Sequence, residues 1–324
     1  MVINTQTPTK LDMRGEIWER FTSSLSSVRG NYIFRNLGGA LGQMLEDRMT
    51  LVYFSFLVFV LVLGLVGPLL APYEYDETHL TEDGDILRLE GPSSDHLLGT
   101  TATGEDVLSL VLYGARPTVI TGLLGGALII GIGMTIGITA GYVGGRVESV
   151  LMRFTDLVYG IPLIPFAIVL LAFFGVGFYS SVVVIGLVLW RGNARVLRSQ
   201  VLQIKERPFV LAARTTGAST FRIIAKHIFP NVASMAVLFF ALGVGYTIII
   251  QAGLAFIGVS DPTVPAWGNM IRNAYNSGYM DVAWWWSLTP GLLISMTVLS
   301  TFMFGRGYES LSGQAEDKEL VRAG

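Results

Sequence analysis

The 324-residue chain has no cysteine and only three histidines. Disulfides and thiolate metal sites are thereby excluded, and cysteine usage says nothing about redox compartment. Charge is scarce too: Asp, Glu, Lys and Arg make up 14% of residues and nearly cancel, at a net charge of −2, which argues against a nucleic-acid partner. No Gly-x-x-x-x-Gly-Lys-Ser/Thr loop occurs, and Gly131-x-Gly133 lies inside an apolar run with no strand before it, so the chain is not expected to hydrolyse ATP by itself. His79 and His96 stand in an acidic stretch without metal-ligand spacing and read as solvated loop residues. His227 falls in a basic loop and reads as a helix-surface residue, and no Ser/His/Asp set can be located. An enzyme is the poorer class of explanation.

What abounds is apolar. Hydrophobic residues form 52% of the chain and mean hydropathy is +0.56, so a water-soluble globule would lack the polar surface to cover its core. A bilayer core about 30 Å thick needs about 20 apolar residues in a helix, because every backbone group must be hydrogen-bonded within the span. Six stretches qualify: 49–71, 118–144, 154–177, 180–198, 232–258 and 286–304. The third is interrupted by Pro162 and Pro165, and the fourth ends among Arg191, Arg195 and Arg198. With the N-terminus placed in the cytoplasm, 19 of the 22 Lys and Arg fall inside, leaving Arg88, Arg116 and Arg272 outside. The outer loop 72–116 instead carries ten Asp and Glu. These counts predict an all-α, six-span integral membrane protein with both termini cytoplasmic.

Residues 1–48 form a cytoplasmic N-terminal segment without a basic-then-apolar leader, and 49–71 reads as an uncleaved anchor. Ile17, Phe21 and Leu25 are spaced for a short amphipathic helix at the membrane surface, with a disordered tail as the alternative. The 72–116 loop, rich in Gly and Pro, is expected to be irregular up to Glu105, with an interfacial helix over Asp106–Tyr113 leading into the second span. There Gly133, Gly137, Gly141 and Gly145 recur every four residues, a stripe on which another helix can pack closely. Asp156 is expected to pair with Arg153, three residues earlier. Gln251 is a strongly polar side chain deep in the fifth span, either lining a pathway or hydrogen-bonding between helices. The middles of the first, second, fifth and sixth spans hold no ionisable groups, which disfavours ion-coupled transport.

The basic loop 199–230 is the most informative segment. Ser199–Arg214 reads as a helix continuing the fourth span, Gly217 as its left-handed stop, Ser219 as the N-cap of a second helix, and Pro230 as the return to the fifth span. Ala212 and Ala213 have little bulk, so the first helix can sit close against a partner, with Arg214, Arg222 and Lys226 around it. The composition alone fits an ordinary amphipathic loop equally well.

Leu211-Ala212-Ala213-x-x-x-Gly217, followed by His227-Ile228-Phe229-Pro230, resembles the Glu-Ala-Ala loop of binding-protein-dependent ABC importer permeases. The likeness extends from about residue 49 to 305 and is similar to the second permease subunit of the dipeptide/oligopeptide/nickel branch. It includes Ala71-Pro72-Tyr73, His96-Leu97-Leu98-Gly99-Thr100, Gly104-x-Asp106-Val107-Leu108-Ser109 and Tyr113-Gly114-Ala115-Arg116. It continues through Gly141-Tyr142-x-Gly144-Gly145, Met152-Arg153-x-x-Asp156, Ile161-Pro162, Phe256-Ile257-Gly258, Pro265-x-Trp267-Gly268 and Pro290-Gly291. The chain departs from the pattern at Leu211 and Gln251, where glutamate is usual, and at Gly305-Arg306-Gly307, where Gly-Asp is usual.

The resemblance implies a type I ABC importer permease: a core over 117–306, a tail over 307–324, and a coupling loop with Leu211, Ala212, Ala213, Arg214, Gly217, Ala218 and Pro230 seated in an ATPase groove. It implies a second homologous permease subunit, two ABC ATPases that bind the ATP and Mg, and a substrate-binding protein received by the external loops 72–116 and 259–285. It gives this chain no cofactor of its own and places it in the plasma membrane. Trp267 and Trp284, Trp285 and Trp286 are expected at the external interface, as membrane anchors or partner contacts. Transport of peptides or similar small solutes is the implied role. The alternatives are an ATP-independent channel or carrier and, behind it, a membrane-embedded enzyme.

Overall fold

The computed structural model describes residues 47–323, with the side chains of 311–323 excepted. The surface helix expected around Ile17, Phe21 and Leu25 lies outside the described residues. The chain folds as α1 (Arg48–Leu70), α2 (Val107–Val143), α3 (Gly145–Tyr159), α4 (Leu163–Phe174), α5 (Phe178–Ile204), α6 (Pro208–Thr215) and α7 (Thr220–Ile223). A π turn (Ile224–Ile228) then leads into α8 (Phe229–Phe256), followed by α9 (Trp267–Ser277) and α10 (Trp284–Ala323). Among the described residues, β pairing is confined to two isolated bridges, Leu80 with Ile86 and Thr100 with Asp106.

Five helical stretches are long and apolar enough to cross a membrane, and the pair α3 and α4, bent by 93°, makes a sixth. The third span is thus interrupted as the sequence predicts, at Gly160–Pro162, whereas Pro165 is accommodated in the first turn of α4. Gly160 and Pro162 end the helical run, and the 12 residues of α4 cover roughly 18 Å, too little to cross a bilayer core unaided. The second span differs in the other direction. Its helix begins at Val107 without a separate interfacial piece, because Asp106 caps it, accepting from the Ser109 N–H at 2.7 Å, and Pro117 does not interrupt it. At the start of α1, the Thr50 hydroxyl and N–H donate to the Asp47 carboxylate and hold its carboxyl below the usual range.

The hub is α2, which packs against α1, α5 and α8. Lipid is as apolar as a leucine side chain, so helices in a bilayer gain little by hiding apolar surface and associate through close backbone contact. Glycine makes that contact possible. A Cβ on Gly137 would lie 2.6 Å from the Ala194 carbonyl oxygen of α5, and one on Gly125 would lie 2.2 Å from Thr247 of α8. Gly133 and Gly141 meet α5 similarly, whereas Gly145 leaves the expected stripe. The chain turns at Gly144 and Gly145, with φ of +72° and +58°, before α3 begins.

The 71–106 loop is irregular as expected, but its histidines are not solvated. His96 is buried and bonds through Nδ1 to Asp106 Oδ2 at 2.9 Å, and the His79 ring packs against both His96 and Tyr73, at 4.6 and 4.3 Å. The tryptophans differ from expectation as well. Trp267 is fully buried and donates to the Val111 carbonyl at 3.0 Å, Trp285 is buried and reaches the Thr100 carbonyl at 3.3 Å, and Trp286 is buried beside them. Of the four, only Trp284 is exposed. Their indole N–H groups find carbonyl acceptors inside the protein, in the first turns of α2 and in the loop before it, which outweighs a place at the bilayer interface.

Candidate functional site

The loop between α5 and α8 folds into a knuckle. The expected helix over Ser199–Arg214 is broken, because α5 ends at Ile204 and Pro208 starts α6 after a turn at Lys205–Arg207. Proline pushes the residue before it out of the helical region, and Arg207 is extended at ψ 145°. At the other end of α6 the chain closes in a Schellman arrangement: the Ala218 N–H reaches the Ala213 carbonyl and the Gly217 N–H reaches that of Arg214, both at 3.1 Å. Gly217 supplies the required left-handed conformation at φ +79°. Ser219 then caps α7 through a long contact, 3.4 Å from the Arg222 N–H to Oγ.

Pro230 does not separate the knuckle from the fifth span, because helix runs unbroken from Thr220 to Phe256. Proline has no N–H to continue the ladder. The chain widens to a π turn just before it, where the Phe229 N–H reaches the Ile224 carbonyl and the Asn231 amide donates to the His227 carbonyl at 2.6 Å.

The knuckle has one greasy side and one open side. Val210, Ile223 and Ile228 are at most 1% exposed and pack with Ile138 of α2, Leu197 and Val201 of α5 and Val232 of α8. Burying each such side chain stabilises by about 1.5–3 kcal/mol, so the loop is clamped to three spans at once. Polar ties add to this: Lys205 Nζ donates to the Gly141 carbonyl at 3.1 Å, and the Arg214 guanidinium lies 5.8 Å from the Tyr142 ring centre. Gly141-Tyr142 is therefore where α2 holds the knuckle. On the open side stand Leu211, Ala212, Arg214, Gly217 and Phe221, the last 81% exposed. Ala213 and Ala218 turn half inward against the apolar cluster, so Ala212 faces outward without its neighbour.

Beside the knuckle lies a second feature that the motif reading missed. Glu148 and Asp156 of α3 face Arg198 and Arg195 of α5 across an open cleft of about 550 Å³. Asp156 pairs with Arg195 at 2.6 Å rather than with Arg153, and Arg198 pairs with Glu148. Arg195 also lies 4.4 Å from the Tyr159 ring centre, and Arg191 donates to the Val158 carbonyl at 2.7 Å, just before the break in the third span. The signal was present in the sequence: 191, 195 and 198 recur on one helix face.

Gln251 sits far from both, roughly 33 Å along α8 from its first residue. It is buried, its Nε2 donates to Ser260 Oγ at 3.1 Å, and its Oε1 has no partner. It borders a small space of about 10 Å³ with Thr118, Thr121 and Trp267, enough for about one water.

Residues 133–308 match the family described as binding-protein-dependent transport system inner membrane component. The dipeptide transport system permease protein DppC of Bacillus subtilis is 32% identical over 265 residues, covering 82% of this chain and 81% of the relative. The oligopeptide transport system permease protein OppC of Haemophilus influenzae is 30% identical, covering 81% and 83%. The probable D,D-dipeptide transport system permease protein DdpC of Escherichia coli is 31% identical, covering 88% and 94%. A solved structure, an inward-facing conformation of the MetNI methionine ABC transporter, aligns with 62% of this chain and 96% of its own at 18% identity and a TM-score of 0.49. With a family match across the knuckle, the charged cleft and all the later spans, and relatives aligned over four fifths of its length, the chain belongs to the binding-protein-dependent transport family and is a multi-pass permease subunit of an ATP-driven importer of the cell membrane.

Proposed function

We propose that this permease passes peptides or similar small solutes and performs no catalysis itself. It works beside a second homologous permease, with two ATPases that bind ATP and Mg at the knuckle face and a substrate-binding protein at the opposite end. Both termini lie in the cytoplasm in this reading. The names of the relatives support the substrate class. One observation carries the coupling role: a rigid knuckle, open on the Leu211, Ala212 and Phe221 side, is clamped by Val210, Ile223 and Ile228 to α2, α5 and α8. Force applied to the open side moves three spans together, and nucleotide binding drives transport by favouring one of their arrangements. Leu211, where the family pattern has glutamate, shifts the docking contact from charge towards apolar burial together with Phe221.

The test is Gly217→Val in the reconstituted transporter. A Cβ added at Gly217 would meet no side chain or distant backbone within 4 Å, so the effect comes from forcing a β-branched residue to φ +79°. The expected outcome is normal membrane insertion with ATP hydrolysis no longer linked to uptake. Uptake at the wild-type rate, or uptake by the permease pair without any ATPase, would overturn the reading.

A further inference from the structure

Midway along α1, the helix stands away from the bundle that it touches at both ends. Near its C-terminal end it closes on α2: a Cβ on Gly64 would lie 2.9 Å from Val119 Cγ2, and one on Gly67 would run into the Leu112 carbonyl. Near its start it meets α10, where a Cβ on Gly307 would lie 2.9 Å from Thr50 Oγ1 and Phe54 stacks on Phe304 at 5.8 Å. Between these contacts a cavity of about 170 Å³ opens among α1, α2, α8 and α10. Val60, Ala241, Val244 and Ile248 are its buried walls, and Leu61 and Leu123, 43% and 39% exposed, stand at its mouth. Thr297 and Thr301 line it too, but their hydroxyls donate to the Leu293 and Val298 carbonyls at 2.6 and 2.8 Å, so neither asks for a partner. Among the described residues, none that lines the cavity is charged.

The position of the cavity says what can enter it. Leu57 and Leu61 sit at the middle of the 23 residues of α1, roughly 14 Å or more from either end of the helix. At that depth the surroundings are hydrocarbon tails, out of reach of headgroups and water. The mouth is continuous with Val58, Val62 and Leu65, exposed along α1 where the span faces lipid, so the cavity opens to the bilayer. An apolar space of about 150 Å³ in a protein stays dry and takes up a small hydrocarbon instead. Left empty, it would deprive every wall atom of contacts on one side. A peptide or a headgroup would bring polar groups that nothing in the lining serves. The end of an acyl chain fits in size and chemistry, and the bilayer supplies it at the mouth.

We propose that this cavity seats the terminal carbons of one acyl chain of a bilayer phospholipid, which packs α1 to the bundle as a side chain would. The complete transporter is reconstituted with a phosphatidylglycerol carrying a diazirine near the end of one chain, photolysed and digested, and the attached lipid is located by mass spectrometry. The label should fall on the buried walls, Val60 and Val244, more than on the exposed Val58 and Leu65. A diazirine beside the headgroup should miss the walls. Leu123→Trp, which extends a mouth residue into the space, should cut labelling of the walls about fivefold, while Leu65→Trp on the open face of α1 should change it less than about twofold. Stripping lipid should lower the unfolding temperature of the wild type more than that of Leu123→Trp, whose indole replaces the chain. Leu61→Phe, from the facing helix, gives the same reading where Leu123→Trp is recovered poorly. Equal labelling of walls and open face would make the cavity ordinary bilayer contact and overturn the inference. Unlabelled walls would give the space to a neighbouring subunit, and label displaced by a transported peptide would give it to the solute pathway; either result overturns it as well.

Discussion

The 71–106 loop has almost no regular structure, and its backbone groups find partners one by one: Thr100 N–H to Glu90, Leu89 N–H to Thr101, His79 N–H to Gly104. Two indole N–H groups, from Trp267 and Trp285, bolt this loop and the start of α2 to α9 and α10. At the knuckle end the backbone satisfies itself in short helices, and three aliphatic side chains do the holding. The contrast is physical. An irregular segment must spend its side chains on backbone groups that lack a ladder, while a helical one has its outward side chains free for a partner.

The contrast breaks most strongly at Trp267. Replacing it with alanine removes a fully buried indole and the bond to Val111, and should cost about 3–5 kcal/mol, read as a lower unfolding temperature and poor recovery from membranes. At the knuckle, Ile223→Ala should cost about 2–5 kcal/mol, towards the lower figure because the loop can partly collapse onto the gap. Its distinguishing result is faster hydrogen exchange over 208–228 with the 71–106 loop unchanged; equal loosening of both ends would erase the distinction drawn above. Asp106→Ala tests the polar end more gently. It removes the cap of α2 and the partner of His96 and should cost about 0.5–2 kcal/mol, seen as fraying at 107–110 in hydrogen exchange. No change there would mean that the tryptophans alone secure the loop.

Local features of the site were legible because they depend on near neighbours in the chain. Gly217 stops α6 since few other residues accept φ +79°, and Ser219 begins α7 since its oxygen lies near an unpaired N–H. The Schellman closure between them needs only six consecutive residues. The break at Lys205–Arg207 was legible in principle from Pro208, but the continuous helical pattern from Ser199 masked it. The π turn was not legible, because widening the helix before Pro230 is one of several ways to accommodate a missing donor.

Hydropathy and glycine spacing settled that this is a helical membrane bundle and which face of α2 another helix can approach closely, because both depend on composition and period along a single helix. Partner choice followed another logic. Asp156 had Arg153 in reach along its own helix, yet it meets Arg195, 39 residues away, where the Tyr159 ring also holds the guanidinium. Trp267 had the bilayer interface available and went to Val111, 156 residues away, where a groove opened by Gly114 receives its ring. Those outcomes compare energies between groups brought together only by folding, and no stretch of chain contains both terms of the comparison.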